Sequence, residues 1–487
     1  MNTSAPGPAP EQARARVLAM QIKLHRWAGE NEGRRFDDLY NLVYDPATLL
    51  AAWSQVKENK GARTAGVDGI TVHQVEQEQG VENFLAELGT ELRTRTYHPS
   101  PVRERMIPKA SGKLRRLGIP TVRDRVVQTA LKMVLEPIFE ADFQPCSYGF
   151  RPNRRAQDAI AEIHHLGSKT YEWVLEGDIK ACFDEISHSA LMTRVHRRIK
   201  DKRVLALVRA FLKAGILTQL GQERDTITGT PQGGIVSPLL ANIALSALDD
   251  HFAQEWDTLM GTELQRRRRR NQGLGNWRLV RYADDFVVMV SGTREQAEAL
   301  RPPIQAVLDP IGLRLSEDKT RIVHIDEGFD FLGFRIQRRR KRGTQKRVVY
   351  TYPSQRAFQR IKEKVRSHTH RSSLTLHELI KTLSPKLRGW CSYFRYGVSK
   401  QTFSALGAYV WRRVARWIRK QHDDLAWKTL RRKHLPNWQV AAEGTRLYEA
   451  KDTRVSRYRF RGHHIPTPWT EQTPAKPTIG MYSRRAG

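Results

Sequence analysis

The sequence has few cysteines and no long apolar segment, and both absences exclude classes of protein. The three cysteines, Cys146, Cys182 and Cys391, are far apart in a chain of 487 residues, and no pair has zinc-site spacing. This pattern is typical of a reducing compartment and excludes a cysteine-based zinc module or a disulfide scaffold. The longest apolar runs, such as residues 286–290, are far shorter than the ~20 residues that span a bilayer. Because residues 1–16 also lack the apolar region of a secretory signal, we expect a cytoplasmic protein that does not contact a membrane.

Acidic residues are scarce relative to basic ones. The chain has 51 Asp and Glu against 83 Lys and Arg, a formal net charge of +32. Its pI of 10.4 is above the ~9 at which nucleic acid becomes the leading partner, because each phosphate contact by Lys or Arg releases counterions. A solvated basic surface or binding to a membrane surface are the alternatives. The hydrophobic fraction of 39% is that of an ordinary globular protein.

Aromatic residues stand among the arginines in two places, residues 389–396 and 454–464. Side chains that stack on bases beside side chains that hold phosphates favour single-stranded or folded RNA over plain duplex. Two arginine-dense runs, residues 266–270 and 338–342, flank glycine-containing loops. Each run is either a solvated loop or a phosphate contact.

Apolar periodicity predicts where the main elements lie. It predicts an amphipathic helix over 71–96, a buried strand that ends at Gly177, and two strands around an acidic turn within 277–292. A further strand is predicted over 329–337, and helices from about Ser372 onward. One helical face is marked by Phe403, Leu406, Val410, Val414 and Trp417.

Three carboxylates stand where apolar strands end, namely Asp178, Asp284 and Asp285. Adjacent carboxylates in apolar surroundings resist ionisation unless a cation bridges them. One or two carboxylates together with substrate phosphates are the usual ligands of Mg²⁺, and two such ions would assist an in-line phosphoryl displacement. The alternative is an Asx-type turn in a hairpin, which accounts for one Asp better than for two in succession.

Seven sequence blocks occur in a characteristic order over about residues 65 to 440. They are IPKASGKLRRLGIPTVRDRVVQ, SYGFRPNRRAQDAI, VLEGDIKACFDEI, GTPQGGIVSPLLANIAL, RYADDFVVM, LSEDKTRIVHI and FDFLGFRI. This series resembles the reverse-transcriptase blocks of bacterial group II intron-encoded proteins. The resemblance implies an α+β fold, a right-hand polymerase whose fingers and palm contain an antiparallel sheet, followed by an α-helical thumb or maturase domain. The implied domains are an N-terminal RNA-binding extension that is partly disordered (1–65), fingers and palm (66–340), thumb/maturase (341–435) and a basic DNA-binding tail (436–487).

The resemblance also implies the catalytic residues and their metal ions. Asp178 matches the first palm aspartate, and Asp284 and Asp285 match the acidic pair of the palm hairpin. Asp178 and Asp284 would bind two Mg²⁺ ions, which Mn²⁺ can replace, and Asp285 would contribute more weakly. This division agrees with the strand pleat, in which successive side chains face opposite sides.

Four residues match the family's nucleotide contacts. Lys109 and Arg115 would hold the triphosphate of the incoming nucleotide, and Gln232 belongs to the loop near nucleotide and template. Phe183 matches the bulky residue that excludes a 2′-hydroxyl and so selects deoxynucleotides; an ordinary core phenylalanine is the alternative. The block at 331–334 corresponds to the primer-gripping strand. Lys319 is either near the active site or part of a structural salt bridge.

The implied partners are the group II intron RNA, an RNA template, a DNA primer or target, and dNTPs. A helical domain with a merely solvated cationic face is the alternative for the maturase region, and a packed edge strand with solvated arginines for the tail. In an extended tail, arginines and aromatics would lie on opposite faces. The predicted nucleic-acid contacts are Arg266, Arg267, Arg268, Arg388, Arg412, Arg416, Arg457, Arg459 and Arg461.

The predicted function is RNA-directed DNA polymerisation by a bacterial protein that also promotes splicing and mobility of its intron. Many family members carry a C-terminal HNH nuclease with cysteine pairs. No cysteine follows Cys391, so the resemblance is to the form that lacks this nuclease. The alternatives are a reverse transcriptase domesticated for defence or repair, and a splicing cofactor whose polymerase is vestigial.

Overall fold

The computed structural model of the chain describes residues 9–108, 114–218, 222–224, 228–229, 233–370, 373–422, 426–462 and 465–470. Within these ranges, helices and sheets are interspersed along the chain, which confirms the α+β class. No helix in the described ranges is both long enough and apolar enough to cross a bilayer.

The helices are numbered in chain order. They are α1 (Pro10–Glu30), α2 (Tyr40–Val43), α3 (Pro46–Glu58), α4 (Val72–Gln74), α5 (Val81–Thr94), α6 (Val122–Glu140), α7 (Ala156–Gly167), α8 (Cys182–Glu185), α9 (His188–His196), α10 (Lys202–Lys213), α11 (Ser237–Glu255), α12 (Glu263–Asn271), α13 (Arg294–Glu298), α14 (Arg301–Leu308), α15 (Gln355–His368), α16 (Leu376–Phe394), α17 (Lys400–Gln421) and α18 (Trp427–His434).

The strands form four sheets. They are β1 (Val102–Pro108), β2 (Leu114–Ile119), β3 (Trp173–Gly177), β4 (Ile216–Leu217), β5 (Glu223–Arg224), β6 (Asn276–Tyr282), β7 (Asp285–Ser291), β8 (Arg321–His324), β9 (Phe329–Phe331), β10 (Phe334–Arg340), β11 (Arg347–Pro353), β12 (Ala441–Ala442) and β13 (Thr445–Arg446). The orders are β6-β7-β3-β8, which we call the central sheet, then β2-β1-β4-β5, β11-β10-β9 and β12-β13. The central sheet is antiparallel throughout.

The central sheet separates two hydrophobic cores. Along β7, Phe286, Val288 and Val290 belong to the first core, and Val287 and Met289 belong to the second. This alternation follows from the strand period of two, which sends successive side chains to opposite faces. Both faces of the strand are covered, so β7 is a continuous apolar run.

Each core continues into a helical part of the chain. The first core includes residues of α1 and α3, such as Leu24 and Trp53, together with α6 and α11. The second core includes α7, the β9–β11 sheet and the helices after residue 354, including Leu383 and Val410. The N-terminal and C-terminal helices therefore share their cores with the two faces of the central sheet.

Three sequence predictions differ from the structure. The helix expected over 71–96 is interrupted at Gly80, whose φ of 79° lies in the left-handed region. The strand expected over 329–337 is a hairpin, because Leu332 (φ 48°) and Gly333 (φ 80°) form a turn of the kind that joins antiparallel strands. Helix α15, which precedes Ser372, was missed.

The predicted domain boundary at residue 340 divides a β-hairpin. Strand β10 pairs with β11 from Phe334↔Pro353 to Arg340↔Arg347. A division at Ser354, whose side chain caps α15, leaves the hairpin whole. The face predicted for α17 is confirmed, because all five of its marker residues are buried.

Candidate active site

The two adjacent aspartates lie at the turn between β6 and β7, as predicted. Tyr282 pairs with Asp285, so Ala283 and Asp284 are the two turn residues. Ala283 has a φ of 59°, a conformation for which such turns prefer glycine at their first central position. We call Tyr282–Asp285 the acidic turn. Its strained alanine is the kind of backbone feature that persists only where the surroundings hold it in place.

Gly149 lies directly beneath the acidic turn. A Cβ atom at this position would lie 2.3 Å from the Ala283 nitrogen, far closer than any van der Waals contact. The segment is held there by backbone hydrogen bonds, from Tyr148 N to Arg281 O (2.9 Å) and from Arg281 N to Cys146 O (2.9 Å). The close approach therefore requires glycine.

Arg281 holds the acidic turn from inside the protein. Its side chain and that of Asp249 on α11 are both fully buried. The guanidinium donates from Nε to Asp249 Oδ1 (2.7 Å) and from Nη2 to Asp249 Oδ2 (2.5 Å). It also donates to Ser147 Oγ (2.7 Å), to Asn242 Oδ1 (3.1 Å) and to the Ala283 carbonyl (2.8 Å). All five guanidinium donors are thereby used, and one of them fixes the strained turn residue.

Asp178 follows the last residue of β3 and is brought beside the acidic turn by strand register. Gly177 pairs with Phe286 of β7, so the next position along β3 lies opposite Asp285. On its other side, the backbone of Asp178 accepts a hydrogen bond from Ser316 N (2.7 Å). Lys319 Nζ donates to Asp178 Oδ2 at 2.8 Å. Lys319 thus forms a salt bridge, and that bridge is with one of the predicted catalytic aspartates.

The three carboxylates influence one another electrostatically. Burial of the Asp285 carboxyl group and, to a smaller extent, the charges of Asp284 and Asp178 raise its pKa from 3.8 to about 6. Lys319 and Arg115 act in the opposite direction. Asp285 nevertheless reaches solvent at its outer edge. The arrangement concentrates negative charge where a divalent cation would relieve the repulsion.

A groove of about 1040 Å³ opens at these carboxylates. Asp178 and Asp285 line its floor, whereas Asp284 lies near the buried thiol of Cys182 and helps to raise the pKa of that group. Its far wall contains α15 and α16, and its lining includes Lys319, Arg321, Arg335, Arg356, Arg360, Lys364, Trp390 and Tyr393. The lining also includes Glu176, Glu327 and Asp330, but the residues on α15 are basic (Arg356, Arg360 and Lys364). The α15 side of the groove can therefore hold a polyanionic strand with one end at the carboxylates.

Two of the predicted nucleotide contacts, Lys109 and Gln232, lie outside the described residues. Arg115 stands on β2, and its charge acts on Asp285. Phe183 on α8 is half-buried against the first core. Gly229 approaches it so closely that a Cβ there would lie 2.5 Å from the Phe183 carbonyl oxygen.

Eight of the nine predicted nucleic-acid arginines are exposed, namely Arg267, Arg268, Arg388, Arg412, Arg416, Arg457, Arg459 and Arg461, and three of the nine also have contacts within the fold. Arg266 donates to the Met260 carbonyl (2.6 Å) and to Glu263 (2.8 Å), and Arg388 lies 5.4 Å from the centre of the Tyr448 ring. Arg461 pairs with the buried Asp158 at 2.7 Å. These last three residues have contacts that hold the fold.

One of the surrounding segments differs from its expected form, and a second agrees with it. The arginine run at 266–270 lies in α12, which begins with a capping box between Thr262 and Gln265, and is not a loop. The tail around 457–461 is extended, with its arginines exposed and Tyr458 and Phe460 half-buried, as the alternation predicts. It pairs with no strand in the part of the chain that the structure describes.

The three carboxylates fit a hard divalent cation whose remaining ligands come from a substrate. Carboxylate oxygens are the ligands that Mg²⁺ prefers. Across the described ranges, however, no three side chains of His, Cys, Asp or Glu form a complete site for a metal ion. The carboxylates would therefore supply part of a coordination shell that substrate phosphates complete.

Sequence reasoning missed two sets of functional residues. The first is the Arg281–Asp249 pair; its only signal is an arginine inside an apolar strand and an aspartate on a buried helix face. The second is the row Arg356, Arg360 and Lys364 on α15, whose spacing of four places it along one side of a helix.

Comparison with known families agrees with this geometry. A family described as "Reverse transcriptase (RNA-dependent DNA polymerase)" matches residues 107–336. A second, described as "Group II intron, maturase-specific domain", matches residues 358–435. The first match contains the three aspartates, and the second contains most of α15 and all of α16 and α17.

Similar proteins come from bacteria and plants. The chain is 40% identical to "Protein YkfC" of Escherichia coli, over 70% of this chain and 93% of that protein. It is 30% identical to "Group II intron-encoded protein LtrA" of Lactococcus lactis, over 96% of this chain and 88% of that protein. Identity to "Nuclear intron maturase 1, mitochondrial" of Arabidopsis thaliana is 26%, over 47% of this chain and 43% of that protein. The chain therefore belongs to the group II intron-encoded proteins, which join a reverse transcriptase to a maturase domain, and it is an RNA-directed DNA polymerase.

Proposed function

We propose that this protein extends a primer 3′ end with dNTPs by two-metal phosphoryl transfer, copying an RNA template bound in the groove. The observation that carries this proposal is the meeting of Asp178 with the acidic turn at the floor of a groove that has a row of cations along its α15 side. A polymerase must concentrate negative charge at one point for its metal ions and positive charge elsewhere for its polyanionic substrates.

The proposed metal ligands are Asp178, Asp284 and Asp285, with two Mg²⁺ ions that Mn²⁺ can replace. When bound, these ions would stabilise the charge that develops on the attacking and leaving oxygens. Burial and the charges of Asp284 and Asp178 raise the pKa of Asp285, which supports this assignment because a shared cation would stabilise the ionised carboxylates against both effects.

The chain's own residues would bind and orient the substrates. Arg115, whose charge reaches Asp285, would neutralise phosphate oxygens of the dNTP together with Lys109. Phe183 would lie under the sugar, and Gln232 would contact nucleotide and template. The position of α8, whose Cys182 lies near Asp284, supports the role of Phe183. The β9–β10 hairpin (Phe329–Arg340), which lines the groove, would guide the primer.

The second part of the proposal concerns the intron RNA. We assign polymerase fingers and palm to residues 66–353 and the thumb to α15–α17, and we keep the predicted extension (1–65) and tail (436–487). The groove cations on α15 and the exposed arginines Arg412 and Arg416 on α17 would hold the RNA during splicing. Mobility would follow from using the same RNA as template and a DNA strand as primer.

The experiment separates chemistry from RNA binding. Purified protein with Mg²⁺ should extend oligo(dT) on poly(rA). Asp284→Ala should abolish this extension while leaving splicing of the intron RNA largely intact. Asp257→Asn is the control, because it changes an exposed aspartate outside the groove lining.

Each other outcome has a definite meaning. Equal loss of extension and splicing in the Asp284 variant would make that residue a support of the fold. Absence of extension by the wild-type protein would mean that the polymerase is vestigial. Extension without any effect on splicing would favour a domesticated enzyme.

A further inference from the structure

Two tryptophans near the C-terminal end of the maturase region are unusually exposed. Trp427 exposes 48% of its surface and Trp438 exposes 53%. Most large apolar side chains in the same region, including Leu430, Leu435 and Val440, are buried. Exposed aromatic side chains mark an interaction site when they form one contiguous patch.

Both exposed rings lie beside a third. Trp411 of α17 lies nearly parallel to Trp427, with ring centres 6.5 Å apart and 16° between planes, and its ring centre is 5.6 Å from that of Trp438. The Trp411 indole N–H donates to the Trp438 carbonyl at 2.9 Å. We call Trp411, Trp427 and Trp438 the tryptophan platform.

The backbone presents Trp438 in a strained conformation. Asn437 and Trp438 have φ values of 54° and 62°, a region that bulky residues rarely adopt. Buried Leu435 and Val440 anchor the chain on both sides, and Trp438 N donates to the Leu435 carbonyl at 3.0 Å. Strain held in this way is found at ligand-binding positions.

Arginines accompany the rings. The guanidinium carbon of Arg431 lies 4.9 Å from the centre of the Trp438 ring, and that of Arg419 lies 6.0 Å from the centre of the Trp427 ring. Flat aromatic surfaces beside guanidinium groups match a nucleotide, which has a flat base and an anionic phosphate. An apolar protein segment would use the rings but not the charges.

We propose that the tryptophan platform is a stacking site for an unpaired base of single-stranded RNA, with Arg431 and Arg419 close to the adjoining phosphates. This inference rests on the proposed binding of intron RNA and adds the subsite that would recognise an unstacked base. Sequence-specific proteins read RNA mainly at such single-stranded positions, where bases can stack on aromatic side chains.

The test uses full-length protein whose groove is filled with an unlabelled, blunt-ended RNA/DNA hybrid duplex of mixed sequence, which cannot pair with the probe. Fluorescent 12-nucleotide oligo(rA) is then titrated in, with a 12-base-pair RNA duplex as the comparison probe. Trp438→Gly removes the ring at a position whose φ suits glycine, and Trp427→Ala removes the other exposed ring. Val398→Ala is the control, since Val398 is a 57% exposed apolar residue of the same region that lies outside the platform.

Loss of one stacking ring should weaken oligo(rA) binding by about 5-fold to about 150-fold and change duplex binding much less. Trp438→Gly should leave the melting temperature unchanged or higher, because it relieves the strained backbone. Val398→Ala should bind both probes like the wild type.

Oligo(rA) affinity unchanged in both tryptophan variants would overturn the inference and leave the platform as a protein contact. Equal weakening toward both probes would also overturn it, because stacking requires an unpaired base. If the wild-type protein binds neither probe, the failure lies instead with the proposed RNA partner.

Discussion

The buried Arg281–Asp249 pair leads to the most quantitative prediction about this protein. Asp249→Asn keeps the side-chain shape but leaves the Arg281 guanidinium buried without its counter-charge, and it places an amide N–H₂ where an oxygen accepted a hydrogen bond. Breaking a buried pair by removing one partner destabilises a protein by about 3–5 kcal/mol. We expect a loss in that range.

The neighbouring residue provides a matched control. Asp250 pairs with Arg194 at 2.5 Å, but its side chain is 42% exposed. Arg194 is 12% exposed, but it also donates to the Ile243 carbonyl (2.9 Å) and to Ser246 Oγ (2.7 Å). Because Asp250 is open to water, we expect the pair to contribute about 1 kcal/mol, the upper end of the range for exposed pairs. The same substitution one residue further along α11, Asp250→Asn, should therefore have a small effect.

The assay is urea unfolding followed by tryptophan fluorescence, combined with the rate of dTTP incorporation under conditions in which each variant is folded. Because Arg281 also holds the Ala283 carbonyl, displacement of the acidic turn should lower kcat by about 10-fold to about 100-fold, as expected for a shift of about 1 Å at a reacting centre. Equal unfolding midpoints for Asp249→Asn and Asp250→Asn would refute the reasoning.

A double variant tests the cause. Asp249→Leu combined with Arg281→Met removes both charges, so it should be more stable than Asp249→Asn alone. It should remain less stable than the wild type, because Ser147, Asn242 and the Ala283 carbonyl each lose a hydrogen-bond donor. A double variant less stable than the single one would mean that the buried charge is not the source of the effect.

Three further predictions concern the active site. The pKa of Asp285 is raised from 3.8 to about 6, so its ionised form opposes folding above that pH, and a bound cation offsets this effect. Mg²⁺ should therefore raise the melting temperature at about pH 7.5 but not at about pH 5. The rate of dTTP incorporation should fall as the pH drops through about 6. An equal Mg²⁺ shift at both pH values, or the full shift in Asp285→Asn, would contradict this. Gly149→Ala should destabilise the protein and suppress dTTP incorporation, because its Cβ would lie 2.3 Å from a backbone nitrogen. The control Gly389→Ala lies on a helix with no atom within 4 Å of the new Cβ and should stabilise the protein by about 0.5–1 kcal/mol. Similar melting temperatures for the two variants would argue against the close approach at Gly149. Phe183→Val should admit ribonucleotides in an incorporation assay with matched dNTP and rNTP, and unchanged discrimination would remove Phe183 from the sugar contact.

Much of the candidate site could be predicted from the sequence, because its signals are local. The apolar runs on either side of the acidic pair identified a hairpin, and the run that ends at Gly177 identified the strand beside it. Helical spacing from Phe403 to Trp417 identified the buried face of α17. Each signal depends on the geometry of a single element, which a few consecutive residues specify.

The errors arose where a single turn redirected the chain. The left-handed conformation of Gly80 divided a predicted helix, and two left-handed residues, Leu332 and Gly333, converted a predicted strand into a hairpin. Leucine carries no preference for that conformation. Only the pairing of β9 with β10 accounts for it.

By itself, the sequence determined the family, the three carboxylates and the apolar runs that place them at strand ends, since each of these is a pattern of consecutive residues. The tertiary structure alone decided what holds the carboxylates in place. Arg281 meets Asp249 from 32 residues away and Ser147 from 134 residues away, and Gly149 supports the turn from a separate segment. Such contacts form only when distant parts of the chain pack around a common core, and no periodicity within one segment records them.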